Sequence, residues 1–299
     1  MVVFVCRRNG TGRAAICLQA VRLWKKSFRD DRTKVAPATD EVLREQYRQH
    51  VNLEARISLH ERFSVNPYQW LNWAFGQFKL EDEARILELG CETGKLRIEN
   101  LERIPKGWQI TLSDFSGRMI KEALNGINAR SSPFEFLRAD ATHIPMLDAQ
   151  FDCIIANHML YHVSDLQGAL SEIKRVLRPG GRLFTATNGA THMCELVSLV
   201  AEADPDVEYM TGVVGNFSLE NTPAQLGMFF ESMEVRHYDD RLEVTDVEAL
   251  CDYILSASTV FNLPESRKSA LRSFIEKRFE SGGGTFRISK DAGIIRAIK

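Results

Sequence analysis

The sequence predicts an α/β fold: a doubly wound, mostly parallel sheet with antiparallel edge strands at its carboxyl-terminal end and an added helical lid. Three observations point there. Short β-type runs alternate with helical stretches between residues 83 and 189, the pattern of parallel strands with helices on both faces. A glycine or an acid stands just after successive strands. Beyond the flexible break Gly282-Gly283-Gly284, the chain reads as strand, turn and strand.

The elements follow in order. Residues 1 to 35 carry nine basic residues against two acids, a charge of +7, which leaves −9 for the remainder of a chain whose net charge is −2. Residues 1–38 are therefore expected to be a basic, poorly ordered tail, and an arginine-rich, acid-poor start is also the composition of a transit peptide. Order is expected from Thr39 or Asp40, both good helix caps, opening a helical cap over 39–82. Within it, Glu41 to His60 is charged and amphipathic, with Leu53, Ile57 and Leu59 available for burial. Asn66-Pro67 reads as a cap and first-turn proline for a helix whose Tyr68, Trp70, Leu71, Ala74, Phe75 and Phe78 share one face.

The segment 83–189 supplies five strands: Arg85–Leu89, Gln109–Leu112, Phe134–Leu137, Phe151–Ala156 and Arg182–Ala186. Ser116–Ile127 and Leu166–Leu177 are helical between them, and Arg178-Pro179-Gly180-Gly181 ends a helix and turns the chain into the fifth strand. Over 190–299, helices are expected within 190–231 and 246–280 as lid inserts. Met233–Tyr238 is expected as a strand, and Asp291-Ala292-Gly293 as a turn between Thr285–Ser289 and Ile294–Ile298.

Composition bounds the function. With 299 residues and 44% apolar content, the chain can bury a large core with a lid. The small net charge gives no electrostatic argument for nucleic acid, and no stretch approaches the roughly 18 apolar residues of a membrane span. Cys6, Cys17, Cys91, Cys153, Cys194 and Cys251 are scattered, so neither a disulfide framework nor a metal site is indicated and a reducing, cytoplasmic setting is the default.

Ligands of such sheets bind beyond the carboxyl ends of the strands, where strand order reverses. Strand one is followed by Glu88-Leu89-Gly90-Cys91-Glu92-Thr93-Gly94, a glycine turn that lets a ligand approach the backbone. Strand two is followed by Asp114-Phe115-Ser116, where an acid can accept both hydroxyls of a ribose. Strand three ends at Asp140-Ala141 and Ile144-Pro145-Met146, a carboxylate for an adenine amino group and apolar side chains for its ring. Strand four ends at Asn157-His158-Met159-Leu160-Tyr161-His162. Each piece alone is ordinary turn or cap chemistry; their joint order indicates a nucleoside cofactor. A pyrophosphate site wants three glycines at a helix start. The carboxylates Glu88 and Glu92 beside this turn would repel pyrophosphate and suit an ammonium or sulfonium cation, which argues against a nicotinamide dinucleotide.

Residues 84 to 189 resemble class I S-adenosylmethionine-dependent methyltransferases of the type 11 (UbiE-like) family, which have a Rossmann-like fold. The resemblance is carried by Ile86–Gly94, Thr111–Met119, Asp140–Pro145, Phe151–Val163 and Glu172–Gly181. It implies that S-adenosylmethionine is the cofactor, with Gly90 and Gly94 along its methionine part and Asp114 at the ribose, beside Ser116. It further implies Phe115 and Met119 flanking the adenine, Asp140 with Ala141 at the adenine edge, and Asn157 near the methionine end. One position departs from the family, which has glycine where this chain has Glu92. That side chain either collides with the cofactor and repels its carboxylate, or points to solvent or pairs with its ammonium. A positive φ there costs about 1 kcal/mol or more. The main expectation is methyl transfer to a small-molecule acceptor; the alternatives are a relative with weakened or lost activity because of Glu92, and a nucleic-acid or protein methyltransferase using the basic tail.

A sulfonium is already a good methyl donor, so a base is needed only where the acceptor has a proton to lose. His158, His162 and His192 are the candidate bases, and Tyr47, Phe63, Tyr161, Met193 and Phe217 the candidate pocket residues. Oligomeric state leaves no mark in the sequence.

Overall fold

The computed structural model describes residues 50–127, 134–205, 215–256 and 263–299, of which 50–56 are described as main chain only. The expected tail, the caps Thr39 and Asp40, and Tyr47 lie outside the described residues.

The described elements run α1 (His50–Phe63), α2 (Trp70–Gln77), β1 (Arg85–Leu89), α3 (Lys95–Ile98), β2 (Gln109–Asp114), α4 (Gly117–Gly126), β3 (Phe134–Arg138) and β4 (Phe151–Asn157). They continue with α5 (Leu166–Val176), β5 (Leu177–Asn188), α6 (Cys194–Ala203), α7 (Thr222–Leu226), β6 (Ser232–Val244), α8 (Val247–Ser256), α9 (Glu265–Ser281) and β7 (Phe286–Ile298). The seven strands form one sheet in the order β3-β2-β1-β4-β5-β7-β6. The pairings among β1 to β5 are parallel, and β7 runs antiparallel to both β5 and β6. Order reverses between β1 and β4, which places the ligand crevice at their carboxyl ends.

The parallel strands are apolar runs because both faces are covered. In β1 every residue after Arg85 is buried, as the continuous pattern of a central parallel strand requires. On one face Phe75, Phe78, Ile86, Leu112, Ala123 and Phe184 pack together; on the other Leu87, Ile154, Leu170, Ile173, Val176 and Phe217 do so. Helix α5 meets that second face through Ala169, Leu170, Ile173 and Val176, the spacing of one helical stripe, and Asp165 caps it by accepting from Gly168 N at 2.9 Å. A third cluster lies beyond the sheet's end. There Leu59 and Phe63 of α1, Leu250 and Ile254 of α8, and Leu271, Ile275 and Phe279 of α9 close over Leu242, Val244 and Ile288.

Three expectations are corrected. Asn66-Pro67 does not open a helix: Asn66 Oδ1 accepts from Tyr68 N at 2.9 Å, an Asx turn, and α2 starts at Trp70. Asn66 N and Nδ2 are spent on Asp240 and the carbonyl of Asp239, which anchors this turn to β6. Asp291-Ala292-Gly293 is not a turn; β7 is one strand of 13 residues. Hydrogen bonding on both sides holds it extended, and Gly293 admits a close approach of β6, since a Cβ there would lie 2.7 Å from the carbonyl of Arg236. The expected strand at Met233–Tyr238 extends to Val244, and its outer half with that of β7 forms the ribbon on which the third cluster sits.

Candidate functional site

The glycine turn, and the identity of its glycines, follow from packing. Gly90 has φ +66°, and a Cβ there would come within 2.8 Å of Met159 Cβ; Gly94 has φ +75°, and its Cβ would meet Ile127 Cδ1 at 3.0 Å. Both positions therefore need glycine for the protein's own contacts, whether or not a ligand approaches. Glu92 also lies in the left-handed region, with φ +50°.

Asp114, at the end of β2, ties this turn to the next. Its Oδ2 accepts from Glu92 N at 3.1 Å and its Oδ1 from Ser116 N at 2.7 Å, while its carbonyl accepts from Ala139 N at 3.1 Å. One residue thus joins the loops after β1, β2 and β3. An ionised carboxylate has about four lone-pair directions, so Asp114 retains acceptor capacity beyond these bonds. Burial pushes its pKa up, against the pull of the two amides. Glu92 is raised as well, by desolvation of its carboxyl within the turn and then by the charges of Asp114 and Glu88, although the residue as a whole is exposed. No described cation is paired with Glu92.

The remaining residues expected at the cofactor divide. Asp140 is exposed beyond β3, its Oδ1 taken by Thr142 N and Oγ1 at 2.8 Å each. Phe115 is 48% exposed, with the Arg138 guanidinium 6.0 Å from its ring. Asn157 ends β4, and its Oδ1 is buried with no described partner. By contrast, Glu88 does not offer its carboxylate to the turn. Its side chain turns inward to Arg97, with Nε at 2.6 Å from Oε2, and the arginine is fully buried beneath Phe75 and Phe78. Ser116 is a cap, its Oγ accepting from Met119 N, and Met119 and Ala141 are buried.

On the other side of β4 the structure gathers histidines. His158 follows Asn157 with φ +52°, its N–H donating to the Ala186 carbonyl at 2.9 Å. His192 follows β5, and its ring stacks against His60 of α1, centroids 6.4 Å apart. Trp70 lies 5.1 Å from His158, and Tyr253 meets His60 edge-on at 5.9 Å. Lys290 of β7 is held at 2.7 Å by Asp240, both side chains nearly inaccessible, and its ammonium stands 5.3 Å above the Tyr238 ring. Burial first, and Lys290 among the nearby charges, depress all three rings: His158 to about 3, His192 to about 4, and His60 well below its ordinary value. Glu61, beside His60, pairs with Lys95, the residue after Gly94, so α1 spans from the histidine cluster to the glycine turn.

His162 packs edge-on to Tyr161, centroids 4.5 Å apart, while Tyr161 also meets His158 at 6.3 Å. Three expected pocket residues prove to be core. Phe217 is wholly buried, its carbonyl accepting from Thr187 Oγ1 at 2.5 Å. Phe63 and Met193 are packed in the third cluster, where Met193 Sδ receives Tyr253 OH at 3.0 Å. Sequence reasoning missed His60, Lys290, Asp240 and Arg97. A recess of about 1100 Å³ opens at the opposite, amino ends of the strands, bordered by Glu83, Lys106, Trp108, Glu135 and Asp152. It is a strand's length from the glycine turn, at the end where such sheets do not bind ligands.

The neutral histidines have a consequence for stability. A histidine depressed on folding contributes stability that is complete above its unfolded pKa near 6.5 and is lost as pH falls toward its folded value. Between pH 7 and pH 6 each ring costs about 0.7 kcal/mol, so the three together should lower the unfolding free energy by about 2 kcal/mol. Urea denaturation at the two pH values measures this. His192→Gln should lessen the loss by about a third, and an unchanged midpoint in the wild type would refute burial of neutral rings.

Comparison with known proteins adds the following. Residues 87–185 match the model of a family described as a methyltransferase domain. The chain is 31% identical over 157 residues to the putative methyltransferase YqeM of Bacillus subtilis, covering 50% of this chain and 61% of that protein. It is 38% identical over 109 residues to the biotin biosynthesis bifunctional protein BioCD of Bordetella avium, covering 36% of this chain and 22% of that one. The chain thus spans less than two thirds of these relatives. Among solved structures, the YcgJ protein of Bacillus subtilis superposes with a TM-score of 0.54 at 17% identity, covering 77% of this chain and 97% of that one, a likeness of fold.

Proposed function

Taking as premise that residues 87–185 are a methyltransferase domain of the class I, type 11 family, we propose that the whole chain transfers a methyl group from S-adenosylmethionine to a small-molecule acceptor. The observation that carries this reading is Asp114, a part-buried carboxylate that joins three strand-end loops at the reversal of strand order and keeps lone pairs for a ribose.

The residues present fit the cofactor. Glu92 is a carboxylate with no cation partner among the described residues, in an acidic turn suited to a ligand that brings an ammonium and a sulfonium. The buried, unpartnered Asn157 Oδ1 fits a donor from the same ligand. Phe115 supplies an exposed ring face, and Asp140 keeps Oδ2 for an amino group. When bound, S-adenosylmethionine supplies an electrophilic methyl carbon and leaves as a neutral thioether. The chain's own work is to hold the acceptor, exclude water under α1 and receive a proton where the acceptor has one to lose. His158 stands at the end of β4 beside this space, but burial and the charge of Lys290 hold its ring neutral, so it is suited to orienting an acceptor rather than to taking its proton. The reading includes a reducing cytoplasmic setting, supported by the buried thiols of Cys91, Cys153 and Cys251, which form no disulfide, and a small acceptor, supported by the aromatic and histidine lining.

Glu92 provides the test. Replacement by glycine removes the left-handed cost and should raise the unfolding free energy by up to about 1 kcal/mol. Glu92→Gln keeps the backbone and deletes the charge, and should weaken S-adenosylmethionine binding several-fold while leaving stability nearly unchanged. If calorimetry shows that the wild type fails to bind and Glu92→Gly binds, the chain is instead a relative that has lost its activity.

A further inference from the structure

His192 stands among the histidines at the carboxyl ends of β4 and β5, and the fold fixes which of its nitrogens bears the proton. Asp291 N, in β7, donates to His192 Nδ1 at 3.2 Å. A backbone N–H can only donate, so Nδ1 must carry a lone pair, and the neutral ring then has its single proton on Nε2. The opposite assignment would set two N–H groups against each other. Taking up a second proton would break the Asp291 bond and place an imidazolium beside Lys290, which is itself held by Asp240. His192 is therefore unsuited to the role of base expected from its sequence position. It is a donor whose direction is set by a strand hydrogen-bonded on both sides.

No described group accepts from Nε2, and the residue keeps some exposure to solvent. Its surroundings describe what belongs there. His60 lies against one face, its Nδ1 buried and unpartnered, and His158 approaches from the end of β4. Tyr253 comes from α8 and Lys290 from β7, whose charge is felt at all three rings. Asp240 balances the charge of Lys290 at 2.7 Å, so what the three neutral rings offer is hydrogen bonding rather than net charge, and the free Nε2–H of His192 calls for an oxygen that accepts.

We propose that His192 is a locked Nε2–H donor that binds an oxygen of the methyl acceptor, selecting acceptors that present a carboxylate, carbonyl or phenolate oxygen between His60 and His158. This rests on the methyltransferase reading for the word acceptor, but not for the donor itself. The same hydrogen bond draws electron density toward the bound oxygen and fixes the acceptor's orientation relative to the carboxyl ends of β1 and β4.

The test uses the full chain and needs no knowledge of the natural acceptor. In histidine-15N-labelled protein, long-range proton–nitrogen correlation spectra should show His192, assigned by its absence in His192→Gln, as the Nε2–H tautomer from pH 8 down to pH 5. Benzoate is the probe ligand. It should shift that Nε2–H proton saturably. His192→Phe, which keeps the ring and loses the donor, should bind benzoate at least tenfold more weakly, the loss of a hydrogen bond to a charged oxygen. His192→Gln, which returns an N–H to about the same place, should bind within about threefold of wild type. An Nδ1–H tautomer, a titration midpoint near 6.5, or equal binding by the Phe and Gln variants would each overturn the proposal. S-adenosylhomocysteine titrated into the same three proteins reads the underlying assignment separately. Equal binding in all three is expected, and no binding in any of them would remove the methyltransferase reading while the tautomer and benzoate results still decide the role of His192.

Discussion

Asp114→Ala is expected to raise the dissociation constant for S-adenosylmethionine by at least about 100-fold. The carboxylate stands at the end of β2 with its oxygens already directed by Glu92 N and Ser116 N. Two ribose hydroxyls donating to a part-buried, charged acceptor contribute about 1.5–3 kcal/mol each, and about 1.4 kcal/mol corresponds to tenfold. The alanine also frees the turn after β1 from the loop after β2, so part of the loss is lost preorganisation. Asp114→Asn separates the two effects. It keeps one carbonyl oxygen for an amide and loses the charge, and should fall between, at about 10- to 30-fold. Thermal melts of both variants should stay within a few degrees of wild type, because Asp114 is raised in pKa by burial and does not hold the fold together through an ion pair. Isothermal calorimetry measures the constants; binding by Asp114→Ala within threefold of wild type would remove the ribose assignment.

The second large effect concerns Arg97. Its side chain is fully buried, bonded to Glu88 through Nε, with Nη1 and Nη2 lacking described partners. Such a pair is weak evidence of net stabilisation, because desolvating two ions costs about what their attraction returns. Breaking it is different. Arg97→Met leaves Glu88 buried at the end of β1 without a counter-charge, and should cost about 3–5 kcal/mol. The double variant Glu88→Leu/Arg97→Met removes both charges, and should recover most of that loss. Urea melts of the two variants and of Glu88→Leu complete the cycle, with an expected coupling of about 2 kcal/mol or more. Additive losses would show that the ions act independently. The double variant also bears on the cofactor site: since Glu88 is turned to Arg97 and away from the turn, S-adenosylmethionine binding should survive the substitution.

These two residues show what could be read in the sequence and what could not. The core strands, the helices between them, and the acid at the end of β2 were legible because each depends on local pattern: an apolar run, a period-3.6 stripe or a glycine beside an acid. Glu88 was read as facing a cation because it precedes the glycine turn; a cation was indeed waiting, but it was Arg97, nine positions on and inside the core. An arginine in a helical stretch carries no mark of burial until Phe75 and Phe78 are folded over it. Gly293 read as a turn because glycine usually punctuates; here it marks a close approach between strands, and only the pairing of β7 with β6 distinguishes the two. His192 was legible as a residue following β5 but not in its hydrogen bonding, since its Nδ1 accepts from an amide 99 residues away in the chain. His60 lay in a segment read as packing and Lys290 between a strand and an expected turn, so the histidine cluster with its lysine emerged only when α1, β5 and β7 came together.

The central claim is that the carboxyl ends of β1 to β4 hold an adenosyl ligand. Hydrogen–deuterium exchange of the full chain with and without saturating S-adenosylhomocysteine tests it most directly. The account predicts slowed exchange concentrated in 88–94, 113–119 and 139–145. Absence of any protection, or protection confined to 83–85, 106–111 and 150–152 around the recess at the other end of the strands, would contradict it.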